Sequence, residues 1–416
     1  MLNPGLQNRR STSFKVTYPD FPSITSLPRS ITLHQEMGKH DIVEIKYRSV
    51  TTSLYKSIKT GVPVEITWKN DKVSGIFRGY TNIVSFPIKQ DQYRELKIIC
   101  VGASYPLKEQ SSKVWINKTA PEIAIDIARK FKLKPVVTSH PTRFTQQSLA
   151  GQYYWEKLNE LANQIGYGMQ VSGTELHFHP IDKMINQFMT VIPVMAFKDL
   201  LTSPSNYYSA PTLDVFESRI GDYIENPDEY NRTKNTVSGV DPVTGKVYSS
   251  TTSPNKVGKS LRQNTKDPLF FQNKTTVVVN SNAMAKSLSE AASHLGRFKI
   301  PATGVGQGDP RIAPWRTIEV RGTGDNSDGF WIVKKVQHYM HADGRYQVEF
   351  VCVTDGVGDN KSSAFRPSNA GTVPTRDLKS AQAKGKATST KLSAKSPLVS
   401  QRSAGYKVTP RKWTGK

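Results

Sequence analysis

Cysteine is almost absent: two residues, Cys100 and Cys352, in a chain of 416. A disulfide framework is therefore excluded. Each cysteine lies in an apolar run, Ile99-Cys100-Val101 and Val351-Cys352-Val353, which predicts buried thiols on strands. Long apolar runs are also missing. No stretch of about 18 apolar residues is present to cross a bilayer as a helix, and Met1-Leu2-Asn3-Pro4 lacks the basic start and apolar stretch of a signal peptide. Synthesis in a cytoplasm without stable membrane insertion is expected. Apolar residues make up only 37%, below the roughly 45–50% of ordinary globular chains. Ser, Thr, Asn, Gly and Pro take up the difference, which predicts many turns and some unpacked segments. Acidic residues are scarce, 34 against 57 Lys and Arg, for a net charge of +23. That excess is uneven: residues 357–416 hold 13 Lys or Arg against two Asp, so +11 belongs to this stretch alone.

The length implies about three domains at roughly 150 residues each. Residues 1–29, polar and punctuated by Tyr18-Pro19-Asp20-Phe21-Pro22, read as an extended N-terminal arm. Period-two alternation then starts. Val43, Ile45 and Tyr47 alternate with Glu44 and Lys46, and Val62, Val64, Ile66 and Trp68 with Pro63, Glu65 and Thr67. With Gly75 to Val84 and Leu96 to Val101, this predicts an antiparallel β-barrel-like domain over 30–110.

At Thr119-Ala120-Pro121-Glu122 the pattern becomes that of a capping box opening a helix with Ile123, Ala124, Ile127 and Phe131 on one face. A second helix carries Trp155, Leu158, Leu161, Ala162 and Ile165 and stops at Gly166. A hairpin over Tyr167–Ser172 and Thr174–Phe178 turns at Gly173, completing an α+β module over 111–180. Residues 181–280 form a connecting segment whose part 202–268 is polar and irregular, expected to be a long excursion or partner-dependent loop. A helix over Asn282–Leu295 and strands at Thr317–Val320, Phe330–Val336 and Tyr346–Val353 give a helix plus a second β-barrel-like domain over 281–356. Residues 357–416 are a basic low-complexity tail, disordered or extended. The fold class is α+β and β-rich: two related antiparallel β-barrel-like domains with an intervening two-helix module.

The second β region repeats the first. Glu65 precedes Gly75 by ten residues and Cys100 follows that glycine by 25; Glu319 precedes Gly329 by ten and Cys352 follows by 23. Two equivalent barrels per chain have a geometric consequence. Three chains around an axis present six barrels in a ring, a match for a sixfold tube.

Three segments carry a resemblance: Trp115 to Ala124, Tyr154 to Ala162, and Gly329 to His338. In the order of its segments the chain resembles phage baseplate hub proteins of the late control gene D family, and the hub part of type VI secretion spike proteins, over roughly 30–180 and 280–356. The 202–268 segment and the 357–416 tail depart from that pattern. The resemblance implies a homotrimeric structural hub in the virion tail baseplate, assembled in the host cytoplasm. Its partners would be the tail tube protein and the central spike protein, with tape-measure and baseplate wedge proteins as further neighbours. It implies no catalysis and no cofactor.

Chemical motifs point the same way. Gly258-Lys259-Ser260 has Ser253 where a phosphate loop needs its first glycine. Gly304-Val305-Gly306-Gln307-Gly308 leads into Asp309-Pro310 without a helix to hold a pyrophosphate, so a loop is expected. His177 and His179 share one strand face without a nearby third ligand, which reads as a polar sheet face. Asp325-Asn326-Ser327-Asp328-Gly329 lacks the later bidentate Glu of a calcium loop and reads as a hairpin turn. Glu156, Glu160 and Glu175 fall on module surfaces, and neither cysteine has a histidine beside it in sequence. No catalytic, cofactor or metal residue is assigned, and no specific nucleic acid is expected as a partner. Two alternatives remain: a nucleic-acid-binding protein using the basic tail as an electrostatic arm, and a cell-wall hydrolase of a tail tip.

Overall fold

The computed structural model describes residues 12–21, 27–48, 56, 58–70, 73–86, 95–187, 192–194, 212–215, 233–241, 244–253, 270–274, 279–296, 298, 300–320 and 329–355. The 357–416 tail, Gly258-Lys259-Ser260 and Asp325 to Asp328 lie outside them.

Alternation builds the first β unit from β1 (Thr12–Thr17), β2 (Ser30–Glu36), β3 (Ile42–Arg48), β4 (Pro63–Asn70), β5 (Val73–Ser85) and β6 (Glu95–Gly102). On β3 the inward side chains are Val43, Ile45 and Tyr47; on β6 they are Leu96, Ile98 and Cys100. Ile31, Leu33, Val64, Ile66, Trp68 and Phe77 join them in one core. Fully burying an aliphatic or aromatic side chain contributes roughly 1.5–3 kcal/mol, so this core is the main stabiliser of the unit. β1, in the segment expected to be an extended arm, pairs antiparallel with β4 and protects its edge.

The middle module contains β7 (Val114–Thr119), α1 (Ala120–Lys130), β8 (Lys134–Val137), β9 (Arg143–Ser148), α2 (Tyr154–Ile165), β10 (Tyr167–Ser172), β11 (Glu175–Pro180) and α3 (Ile181–Gln187). The capping box is formed: the Glu122 N–H donates to Thr119 Oγ1 at 3.3 Å, and the Thr119 N–H donates to Glu122 Oε2 at 2.8 Å. Gly166 ends α2 with φ 68°, and a Cβ there would come within 2.8 Å of Ala291 Cα.

Beyond the module come β12 (Ile192–Val194), β13 (Thr212–Val215), β14 (Thr233–Val240), β15 (Val247–Thr252), β16 (Phe270–Lys274) and α4 (Asn282–Leu295). The polar stretch expected to be a loop contains the β14–β15 hairpin, and β16 completes a three-stranded sheet. Beside Val237 and Tyr248, which join the apolar cluster that also holds Met284 and Ala285, its contact with α4 includes buried polar side chains. Thr252 Oγ1 meets Ser289 Oγ at 2.7 Å, and Asn235 Nδ2 donates to Ser293 Oγ at 3.2 Å, all buried. Sequence periodicity sees apolar residues, so it missed this contact. α4 itself buries Met284 and Ala285 in the module's core, not in the second β unit with which its sequence position grouped it.

The second unit is β17 (Ile300–Gln307), β18 (Thr317–Val320), β19 (Gly329–His341) and β20 (Tyr346–Thr354), around Ala302, Trp331, Val333, Val336, Val348, Phe350 and Cys352. Here Gly304 and Gly306 corrected the expectation of a loop, because they lie on β17 opposite Phe350 and Val348 of β20. The glycine at 304 serves close approach: a Cβ there would stand 2.3 Å from Phe350 Cζ. Both units belong to one twelve-stranded sheet of order β1-β4-β5-β6-β3-β2-β19-β20-β17-β13, with β18 on β19 and β12 on β18.

Adding a methyl at this contact overpacks the core, so Gly304→Ala is expected to cost about 1–3 kcal/mol in urea unfolding. Gly304→Ala combined with Phe350→Leu should cost less than the two single changes added together. Simple additivity would count against the ring contact as the reason for the glycine.

Candidate assembly interface

The two β units correspond strand for strand. In the first, the order along the sheet is β4-β5-β6-β3-β2; in the second it is β18-β19-β20-β17-β13. Thr81 and Val333 are the equivalent anchors. The Thr81 N–H donates to Val62 O at 2.9 Å and Thr81 O accepts from the Gly61 N–H at 2.7 Å. Likewise the Val333 N–H donates to Arg316 O at 2.9 Å and Val333 O accepts from the Trp315 N–H at 3.0 Å. Gly61 and Trp315 both have positive φ, 84° and 67°. A register shift follows each anchor, between Thr81 and Ile83 and between Val333 and Lys335. Cys100 lies opposite Thr81 and Val43, Cys352 opposite Val333 and Ala302.

Glu65 and Glu319, and the two cysteines, therefore coincide as the sequence implies. The glycines do not: Gly75 and Gly329 are out of step by two positions in this correspondence. Gly75 is explained by the Trp68 indole, 2.2 Å from where its Cβ would be. The repeat is a property of the strand ladder and the buried cysteine rows.

The units meet where β2 pairs antiparallel with β19, from Lys335 opposite Glu36 to His341 opposite Ser30. Behind this junction, Trp68 Nε1 donates to the Tyr346 hydroxyl at 3.1 Å, and that hydroxyl lies 2.8 Å from His338 Nδ1. Burial pulls the His338 pKa down to about 4. The ring is therefore neutral, and its Nδ1 accepts the Tyr346 proton while Tyr346 accepts from Trp68. Trp68 and Tyr346 are 278 residues apart, so no local pattern could have shown this link. Burial raises Cys100 to about 12, which keeps that thiol protonated.

The turn after β2 locks the junction to the module. The Met37 N–H donates to Lys334 O at 2.9 Å, and Asn159 Nδ2 donates to Gly38 O at 3.2 Å. His40 stacks on Trp155 with ring centroids 4.1 Å apart, and its Nδ1 is 2.7 Å from Ser104 Oγ. On the other side, Ile181, Met184 and Ile185 of α3 pack with Trp315, Ile332 and Val353 of the second β unit.

His177 and His179 are buried, a correction to the polar-face expectation. His177 faces Glu175 at 3.4 Å and His179 Nδ1 is 2.7 Å from Thr138 Oγ1. Their rings are 6.0 Å apart, and no group of three or more His, Cys, Asp or Glu that could hold a metal occurs among the described residues. The strand is covered on both faces, so His177 turns to Glu175 and His179 Nδ1 to Thr138 in the interior, while His179 Nε2 is buried without a hydrogen-bond partner. Glu160, on the module surface, accepts from the buried Lys157 ammonium at 3.0 Å.

No protein-family model and no curated protein matches the sequence. Solved structures do match its fold. The 43 kDa tail protein of prophage MuSo2 from Shewanella oneidensis gives a TM-score of 0.56 at 13% identity, over 83% of this chain and 99% of that one. A tail protein from Neisseria meningitidis MC58 gives 0.55 at 12% identity, over 84% and 98%. The chain has the fold of these phage tail proteins.

The His40 stack is acid-sensitive. Burial first, then the Lys108 charge, holds this ring at about 4, below its ordinary 6.5, so unfolding takes up a proton between those values. The stability it carries is complete above 6.5 and is lost as pH falls toward 4. Asp41, raised to about 7 by burial, acts with the opposite sign, so the test is a comparison. Between pH 7 and 4.5 the wild type should lose more unfolding free energy than His40→Phe, which keeps an aromatic ring on Trp155 but cannot be protonated. Parallel pH curves would contradict the assignment.

Proposed function

We propose that this chain is a structural subunit of a phage tail baseplate hub, which assembles as a homotrimeric ring continuing the tail tube and anchoring the central spike. One observation carries the reading: the chain holds two topologically equivalent β units fused edge to edge in one sheet. Three copies about an axis then offer six equivalent units, which reconciles a threefold spike with a sixfold tube. The fold shared with two tail proteins supports a place in the tail. The function is rigidity, shape and interface, so the site is the sheet and its edges rather than a pocket.

In this reading the two β units form the ring wall. The module clamps them at a fixed angle through the His40–Trp155 stack and the α3–Trp315 contact. The tube protein meets the ring on one face and the spike protein on the other. The basic 357–416 tail orders against an acidic partner on assembly, its ordering cost being met at that moment.

Light scattering in moderate salt, with residues 357–416 present and removed, tests this. Three copies of 46.4 kDa give about 139 kDa, and a trimer is expected with the tail as well as without it. A chain that stays monomeric at all concentrations, alone and with tube and spike proteins added, contradicts the ring.

A further inference from the structure

The contact between the module and the second β unit contains buried polar atoms that no protein group serves. In the β10–β11 hairpin, Tyr167, Met169, Val171, Leu176 and Phe178 face the module's own core. The alternate residues therefore occupy the other face, with Gly168 directly opposite His179 and Gln170 opposite His177. This face is covered by the second β unit and by α3: a Cβ at Gly168 would stand 2.7 Å from Trp315 Cη2 and 2.9 Å from Met184 Cγ. Trp315 packs there with Ile332. Thr317, opposite Ile332 in the β18–β19 ladder, presents its side chain to the same side.

Four buried side-chain atoms on these two faces have no hydrogen-bond partner within the chain: Gln170 Oε1, His179 Nε2, Trp315 Nε1 and Thr317 Oγ1. His179, Trp315 and Thr317 are 2%, 8% and 0% exposed, so bulk solvent does not serve them. Unpartnered buried polar groups are rare in folded proteins, and several at one contact mark a site for something that is not protein. Their chemistry selects its occupant. The indole N–H only donates and the amide oxygen only accepts, while the threonine hydroxyl and the histidine ring, kept neutral by burial, can take either part. An anion would be repelled by the Gln170 oxygen, and a cation by the Trp315 N–H. Water donates and accepts at once, and it is the usual partner of buried polar atoms that the protein itself leaves unserved.

We infer that an internal water site lies between the module sheet and the second β unit, with Trp315 Nε1 donating into it and Gln170 Oε1, His179 Nε2 and Thr317 Oγ1 as its further partners. The water then belongs to the brace. It joins β10 and β11 of the module to the start of β18 through hydrogen bonds that these side chains do not make to one another, and bridging water serves such a contact nearly as well as direct bonds do. The site lies within one chain and does not depend on trimer formation.

A high-resolution crystal structure of the full chain is the direct test. Water density within hydrogen-bonding distance of Trp315 Nε1 and of at least one of the other three atoms is the expected result. A dry contact, direct bonds from these atoms to protein groups, or an ion or additive in the site overturns the assignment. Nuclear magnetic resonance gives a second readout on the full chain with isotope-labelled tryptophan, the Trp315 indole signal being identified by its loss in Trp315→Phe. Laboratory-frame and rotating-frame Overhauser cross-peaks to water should have opposite signs, the mark of a long-lived bound molecule; their absence counts against the site. Thr317→Val decides by sign. With water on the hydroxyl, the variant loses a bond and unfolds at a lower urea midpoint than wild type. A raised midpoint means that an unpartnered hydroxyl has been removed from a dry contact, and overturns the inference.

Discussion

The antiparallel ladder between β2 and β19 is the constraint on which the rest of the fold depends. Each strand in a sheet must find partners for two rows of backbone polar groups, and a barrel-like unit that fails to close upon itself leaves one row open. Here the open row of the first unit is satisfied by the second, over the stretch Lys335–His341. The side chains on the buried side of this ladder are Ile31 and Leu33 from β2 and Val336, His338 and Met340 from β19. Met340 and Tyr346 belong to the first unit's core although they come from the second. The two units therefore cannot move independently, and the Trp68–Tyr346–His338 hydrogen bonds fix the register, because a slipped ladder would strand buried polar groups without partners.

The α+β module acts as a brace on that ladder. The turn after β2 inserts between module and junction, with Gly38 held by Asn159, His40 by Trp155 and Met37 by Lys334. α3 reaches the second unit through Trp315, whose own positive φ of 67° is held by its hydrogen bond to Val333. Rigid bracing suits a part that transmits load or defines a bore. Desolvation also keeps half-buried His40 at the brace and buried His338 at the junction neutral, since it disfavours the charged ring.

How legible this was in the sequence depends on the range of the interaction. The capping box at Thr119 and Glu122, the stop at Gly166 and the strand alternation at Val43 to Tyr47 are local, and the residues alone disclose them. The duplication was legible from Glu65, Glu319 and the two cysteines, yet the glycines chosen to anchor it were misleading. Gly75 makes room for Trp68 and Gly304 for Phe350, so each glycine answers to its own aromatic neighbour. The β14–β15–β16 sheet was hidden because its contact with α4 includes hydrogen bonds among Ser, Thr and Asn, which apolar periodicity does not register. The junction was beyond reach altogether: it joins residues about 300 positions apart, and nothing in either strand marks it as a partner for the other.

The central claim is that two equivalent β units lie in one chain so that three chains can present six. Electron cryomicroscopy of the purified protein tests it most directly. The account predicts a threefold map in which the two units of each chain lie at one radius and one height, related by about 60° about the axis. Units found at different radii, or stacked along the axis, would contradict it.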